Sequence, residues 1–228
     1  MSPDKLRNDP TKTIEKNEMR ALTYTKENFE QVAIILKKGG VAVFPTDTTY
    51  VIGGSIQHPE ALNRIFALKE RSKEHSLPLL ISRPEVALEI AVLQDKDLDL
   101  LKKIWPGPYT LILRTKLRLP PGLLGPDGTV ALRCPDHGIA LDLLRSVGET
   151  LAITSSNYSG KPSPRCFEEV PSELLDHVDA ALDAGPCPLP DGTAILKVAG
   201  RGPIRVREGC VAVEDIERVE DLLKQLGK

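Results

Sequence analysis

Three groups of polar side chains in this 228-residue chain stand where apolar runs end. Thr46, Asp47, Thr48 and Tyr50 follow Val41–Phe44, Arg133 follows Thr129–Leu132, and Ser155, Ser156 and Asn157 follow Leu151–Thr154. Strand ends at one edge of an open α/β sheet surround its ligand crevice, so the three groups are expected to converge on one site. Taken singly, each group also suits a satisfied turn, because Thr, Ser, Asp and Asn hydrogen-bond nearby backbone there. Lys69 and Arg71, in the stretch LKERSKEH, add a point charge and a bidentate fork suited to phosphate or carboxylate oxygens. The same two cations would complement the dipole at a helix carboxy terminus, and the local sequence accommodates both roles.

Several other chemistries lack their residues. Neither G-x-x-x-x-G-K-[ST] nor G-x-G-x-x-G occurs, which removes the usual ATP and dinucleotide cradles. There is no G-x-S-x-G, and Ser155 has no evident histidine partner, so a serine hydrolase is not expected. Cys134, Cys166, Cys187 and Cys210 are 32, 21 and 23 residues apart, and no histidines are spaced H-x-x-x-H, which argues against a zinc site. Scattered thiols in a chain that opens on a polar segment suit a reducing cytoplasm.

The elements that must position these residues alternate irregularly. Helices are expected over Thr25–Lys38, Pro59–Leu68, Glu85–Val92, Asp97–Ile104, Gly138–Val147, Pro171–Asp176 and Glu214–Leu226, from their apolar spacing and terminal signals. Strands are expected at Val41–Phe44, Leu77–Ile81, Tyr109–Arg114, Thr129–Leu132, Leu151–Thr154, Val178–Leu182, Ala194–Val198 and Ile204–Val206. That order predicts a mixed α/β sheet flanked by helices rather than a doubly wound parallel one. Pro120–Gly128 and Gly185–Gly192 read as long surface loops. Residues 1–22 read as a flexible polar arm, neither signal peptide nor anchor, ahead of a single domain over 23–228.

Composition narrows the partners. With 30 Lys+Arg against 32 Asp+Glu the chain is near neutral, but residues 64–118 carry a net +4 and residues 166–228 a net −6. A nucleic-acid-binding domain would be basic throughout, so a recognised polyanion should be small and held in a local pocket. No apolar run exceeds five residues, whereas a membrane span needs roughly 20, so no membrane contact is expected.

Six stretches then recur together: PTDTTY (45–50), KER (69–71), WPGPYTLIL (105–113), TVALRCPDH (129–137), TSSNYSGKPSP (154–164) and VREG (206–209). In this order and spacing they resemble the YrdC-like family of threonylcarbamoyl-AMP synthases, in its short single-domain branch, over about residues 24–213. The resemblance implies a twisted mixed sheet with a large, concave, positively charged cavity. It implies that threonine, bicarbonate and ATP yield L-threonylcarbamoyladenylate and pyrophosphate, with Mg²⁺ on the phosphates, for N6-threonylcarbamoyladenosine modification of tRNA. A separate threonylcarbamoyl-transfer machinery would be the partner.

Carried over by position, the resemblance implies that Thr48, Arg133, Ser155 and Thr193 contact the amino acid. It likewise places Lys69, Arg71, Thr129, Asn157 and Arg207 on the nucleotide, with Lys69, Arg71, Arg133 and Ser155 nearest the chemistry. The sequence departs from the family pattern at Val51, where glycine is usual, and at Ala194, Lys197 and Glu208. Two other readings are a carbamoyl-adenylate or carbamoyl-transfer module and a double-stranded-RNA-binding module. The 4% aromatic content disfavours the RNA reading, since single-stranded recognition generally uses stacking rings.

Overall fold

The computed structural model describes residues 22–69, 76–189, 191–199 and 202–226. Its strands are β1 (Leu22–Thr23), β2 (Val41–Pro45), β3 (Tyr50–Ser55), β4 (Leu79–Ile81), β5 (Tyr109–Arg114), β6 (Thr129–Arg133), β7 (Thr150–Ser155), β8 (Ala180–Asp183), β9 (Ala194–Ala199) and β10 (Gly202–Arg207). They form one mixed sheet in the order β1-β8-β2-β3-β7-β4-β6-β5-β9-β10. The helices are α1 (Lys26–Lys37), α2 (Pro59–Leu68), α3 (Glu85–Ile90), α4 (Leu98–Leu101), α5 (Gly138–Val147), α6 (Ser172–Leu175) and α7 (Val213–Leu223).

Local chemistry explains the elements that the sequence makes plain. The Thr25 hydroxyl accepts from Asn28 N at 3.1 Å and caps α1, whose Val32, Ala33 and Leu36 are buried. Pro59 opens α2, where its missing N–H costs nothing. Gly148 ends α5 in the left-handed region at φ 103°, which glycine adopts without penalty.

Two expectations need correction. The strand β3 was not expected, because YVIGGS carries two glycines and follows a polar turn. The structure shows what they allow: a Cβ on Gly53 would stand 2.7 Å from the Phe44 ring, and one on Gly54 would stand 3.1 Å from Ala61 of α2. The helix expected over Asp97–Ile104 is instead a 3₁₀ turn, Asp95–Asp97, followed by the single turn α4. Asp97 draws the chain into that turn by accepting from Gln94 N at 2.8 Å. The expected arm lies outside the described residues apart from Leu22, which begins β1 and pairs with Leu182.

Two apolar layers sandwich the sheet unequally, and the site follows from that. On one face Val41, Val43, Ile52, Leu79, Leu111, Leu113, Val130, Leu132 and Leu196 join α2, α3 and α7 in a continuous core. On the other, α1 and α5 pack Leu36, Leu143 and Leu144 over Ala42, Phe44, Val51, Leu80, Leu151 and Ile153. That second layer covers β8 and β2 and reaches β3 and β7, where Val51 and Ile153 also border a cavity. Over β6, β5 and β9 the same face carries Ala131, Arg133, Thr110, Ile112 and Ile195, which line a cavity instead.

Candidate active site

The cavity has a volume of about 490 Å³, within the range of small-ligand sites. Its floor is apolar, built from Val51, Ile112, Ala131, Ile153 and Ile195 at alternating strand positions. Its polar rim comes from strand ends: Thr48 and Thr49 ahead of β3, Arg133 at the end of β6, Ser155 at the end of β7, Thr193 ahead of β9 and Arg207 at the end of β10. The charged side chains among these lining residues are two arginines. The strand-end groups thus do converge, and the space they enclose extends from the sheet edge onto the open face.

Arg133 is 4% exposed and Asp47 1% exposed, and Arg133 Nη2 donates to Asp47 Oδ1 in a buried ion pair. Arg133 Nη1 donates to Thr48 Oγ1 at 2.9 Å and Nε to the Gly107 carbonyl at 3.4 Å. Burial pulls the guanidinium below its ordinary pKa and Asp47 opposes that pull, so Arg133 stays a cation. Gly107 is held there by its own N–H, which donates to Cys134 O at 2.9 Å.

Lys69, at the carboxy-terminal end of α2, is also buried. Its ammonium donates to Ser155 O at 2.9 Å, to Asn157 Oδ1 at 3.0 Å and to Asn157 O. Ser155 Oγ donates to Asn157 Oδ1 at 2.6 Å, so lysine, serine and asparagine form one network behind the rim. Lys69 and Asn157 are not among the lining residues. On the far side, Arg207 Nη2 donates to Thr193 Oγ1 at 3.1 Å and Nε to Thr193 O at 2.9 Å, while the Thr110 and Thr193 hydroxyls share a hydrogen bond of 2.9 Å.

Of the residues singled out in the sequence, Thr48, Arg133, Ser155, Thr193 and Arg207 meet at the cavity. Thr129 shares the face of β6 with Ala131 and Arg133 but packs beneath Gly125 instead of lining the cavity: a Cβ on Gly125 would stand 2.6 Å from Thr129 Oγ1. Arg71 lies outside the described residues. Sequence reasoning passed over Thr110, whose signal was a polar residue at an alternating position of YTLIL, and Ser163, Gly192 and the apolar floor, which look like any strand interior. Val51 sits in regular strand opposite Ser155, so this position needs no glycine. Lys197 pairs with Asp127 at 2.5 Å and ties the 120–128 loop to β9.

The burial of two thiols makes them chemically quiet. Desolvation pushes Cys134 up to about 12 and Cys187 up to about 11, far above the range in which a thiolate would act as nucleophile or ligand. Among the described residues, no group of His, Cys, Asp or Glu is placed to hold a metal ion. No helix among them is long and apolar enough to cross a membrane.

A family model covering Sua5, YciO and YrdC, described as "Telomere recombination", matches residues 34–209, which span the whole cavity lining. The chain belongs to this Sua5/YciO/YrdC family. It is 34% identical over 197 residues to a threonylcarbamoyl-AMP synthase of Bacillus subtilis, covering 83% of this chain and 55% of that one. It is 32% identical over 159 residues to a threonylcarbamoyl-AMP synthase of Vibrio campbellii, covering 68% of this chain and 86% of the other. Its fold resembles that of Pyrococcus abyssi Sua5 complexed with L-threonine, with a TM-score of 0.80 at 29% identity over 88% of this chain and 60% of the other. The chain therefore spans about half the length of the B. subtilis relative and most of the V. campbellii one.

Proposed function

We propose that this member of the Sua5/YciO/YrdC family makes L-threonylcarbamoyladenylate from L-threonine, bicarbonate and ATP, for N6-threonylcarbamoyladenosine modification of tRNA. The observation that carries the proposal is the cavity: a prearranged arginine fork and a ring of hydroxyls over an apolar floor, in a chain whose relative binds L-threonine and whose other relatives bear this activity as their name.

The chemistry asks for positioning, not covalent catalysis. The threonine amine adds to bicarbonate with loss of water, giving an N-carboxylate. One of its oxygens attacks the α-phosphorus of ATP, and the bond to pyrophosphate breaks. Every species along this path is anionic, so fixed donors and cations that hold the reactants together supply the rate enhancement. Arg133 takes the threonine carboxylate, with Thr48 beside it, and the Thr193 and Thr110 hydroxyls meet the amino-acid side chain. Ser155 faces the new carbamate and the nucleotide, with Asn157 held behind it. Arg71 and Arg207 serve the nucleotide, and Lys69 acts by holding the Ser155–Asn157 turn, while Thr129, beneath Gly125, supports the wall.

Magnesium belongs to the substrate, MgATP, because the cavity lining among the described residues contains no carboxylate. The product is a reactive mixed anhydride, which suits a hand-off to a partner that transfers the threonylcarbamoyl group, in the cytoplasm where tRNA is modified. The test is pyrophosphate release from ATP in bicarbonate buffer, with L-threonine compared with other amino acids and with carbamoyl phosphate. Dependence on threonine supports the proposal. Turnover that needs carbamoyl phosphate would favour the carbamoyl-transfer reading instead.

A further inference from the structure

Asp47 is buried and does not line the cavity, yet its carboxylate holds the cavity's innermost cation. Oδ1 accepts from Arg133 Nη2, while the buried Oδ2 has no hydrogen-bond partner among the described residues. The turn that carries Asp47 is satisfied without that carboxylate. Thr46 Oγ1 accepts from Thr48 N and from Thr49 N, each at 3.2 Å, and the Asp47 carbonyl accepts from Leu189 N at 3.0 Å. A buried carboxylate with one oxygen unpaired is a costly way to fasten a turn, and well-packed apolar residues of similar volume often hold as well or better. What an apolar pair cannot supply is a guanidinium fixed in one plane.

Arg133 shows that constraint. Asp47 Oδ1, Thr48 Oγ1 and Gly107 O take one N–H each from Nη2, Nη1 and Nε. A planar fork engaged through all three nitrogens does not rotate, and one N–H is left on each terminal nitrogen. We propose that Asp47 is a positioning residue: it fixes the Arg133 guanidinium so that these two N–H groups meet the carboxylate of the amino-acid substrate. The proposal rests on the amino-acid reading of the cavity and adds to it a residue that never touches substrate.

The test compares two ligands and two proteins. Full-length wild type and Asp47→Asn are titrated with L-threonine and with L-threoninamide, which lacks the carboxylate. The substituted amide keeps the shape and one acceptor but loses the charge that clamps the fork. The expected result is threonine binding weakened about 10- to 100-fold, the scale of a charge-assisted hydrogen bond, with threoninamide binding changed less than about threefold. Equal weakening of both ligands would overturn the proposal, and so would an Asp47→Asn chain that fails to fold, since either assigns the carboxylate to the structure alone.

A second measurement needs no ligand. ¹⁵N spectra of the guanidinium groups, with Arg133 assigned by Arg133→Lys, should show slow rotation about Nε–Cζ in the wild type and averaging in Asp47→Asn. Averaging already present in the wild type overturns the proposal. Failure of the wild type to bind threonine strikes the amino-acid reading, and the guanidinium spectra still decide the role of Asp47.

Discussion

Arg133 and Lys69 are both buried cations at the cavity, and their hydrogen bonds give them different work. Arg133 is clamped by Asp47, Thr48 and Gly107 and still lines the space. Lys69 gives its ammonium to oxygens of Ser155 and Asn157, so its first effect is on the turn they form. The buried pair makes Arg133→Ala a poor probe of chemistry alone, because it strands the Asp47 carboxylate. That variant should lose about 3–5 kcal/mol, lowering the thermal midpoint by on the order of 10 °C, whereas Asp47→Asn combined with Arg133→Gln should recover most of the loss. Thermal unfolding of the three proteins checks this. His137 gives a pH signature at the same scale. Its Nδ1 accepts from Ala140 N at 3.3 Å to cap α5, and burial holds its pKa below the ordinary value, against the pull of Asp47 and Asp136. The unfolded chain therefore takes up the proton first. This contribution to stability is full above about pH 6.5 and is lost as the pH falls through the depressed folded value. The midpoint of the wild type should drop more between pH 7 and 5 than that of His137→Asn, which keeps a capping oxygen that does not titrate in this range.

Elements make the cavity by what they leave uncovered. α1 and α5 cover one part of a sheet face, which stays open over β6, β5 and β9. One wall depends on a close crossing of two chain segments. Cys210 N donates to Gly192 O at 2.8 Å, and Gly209, at φ 68°, leaves no room for a side chain: a Cβ there would lie 2.3 Å from Thr193 C. Gly209→Ala must push Thr193 and Arg207 apart. It should cost upwards of about 1–3 kcal/mol in strain and lower activity more than a surface Gly→Ala such as Gly160→Ala, as thermal unfolding and turnover would show. Much of this level was legible in the sequence. The short apolar run Val41–Phe44 marked β2, terminal signals marked α1, and Pro59 marked the start of α2. β3 was illegible because its reason is steric: glycines where Phe44 and α2 press close. Asp97–Ile104 looked helical by its apolar spacing, while the capping Asp97 side chain broke it into two turns.

At the scale of the whole molecule, the site joins residues from Thr48 to Arg207, so the cavity belongs to the folded chain and to no single segment of it. Residue types at strand ends pointed to Thr48, Arg133, Ser155 and Asn157, and Lys69 and Arg71 stood out as neighbouring cations. Thr193 and Arg207 were reached only through the family resemblance. The buried support beneath Arg133 was hidden, because a Thr-Asp-Thr turn looks the same whether its carboxylate faces water or a guanidinium. A site assembled across the chain must stabilise the fold when filled. Saturating MgATP at about 100 times its dissociation constant should add about 2.7 kcal/mol, and L-threonine should add a further increment that Thr193→Val reduces, as read by thermal shift.

Pyrophosphate released from ATP in bicarbonate buffer, with and without L-threonine, shows whether the cavity joins the amino acid to the nucleotide. Release should be negligible without threonine and should saturate as threonine is added, alongside threonylcarbamoyladenylate detected by mass. Release at the same rate with no amino acid present, or none from a folded protein given all three substrates, would contradict the proposed synthesis.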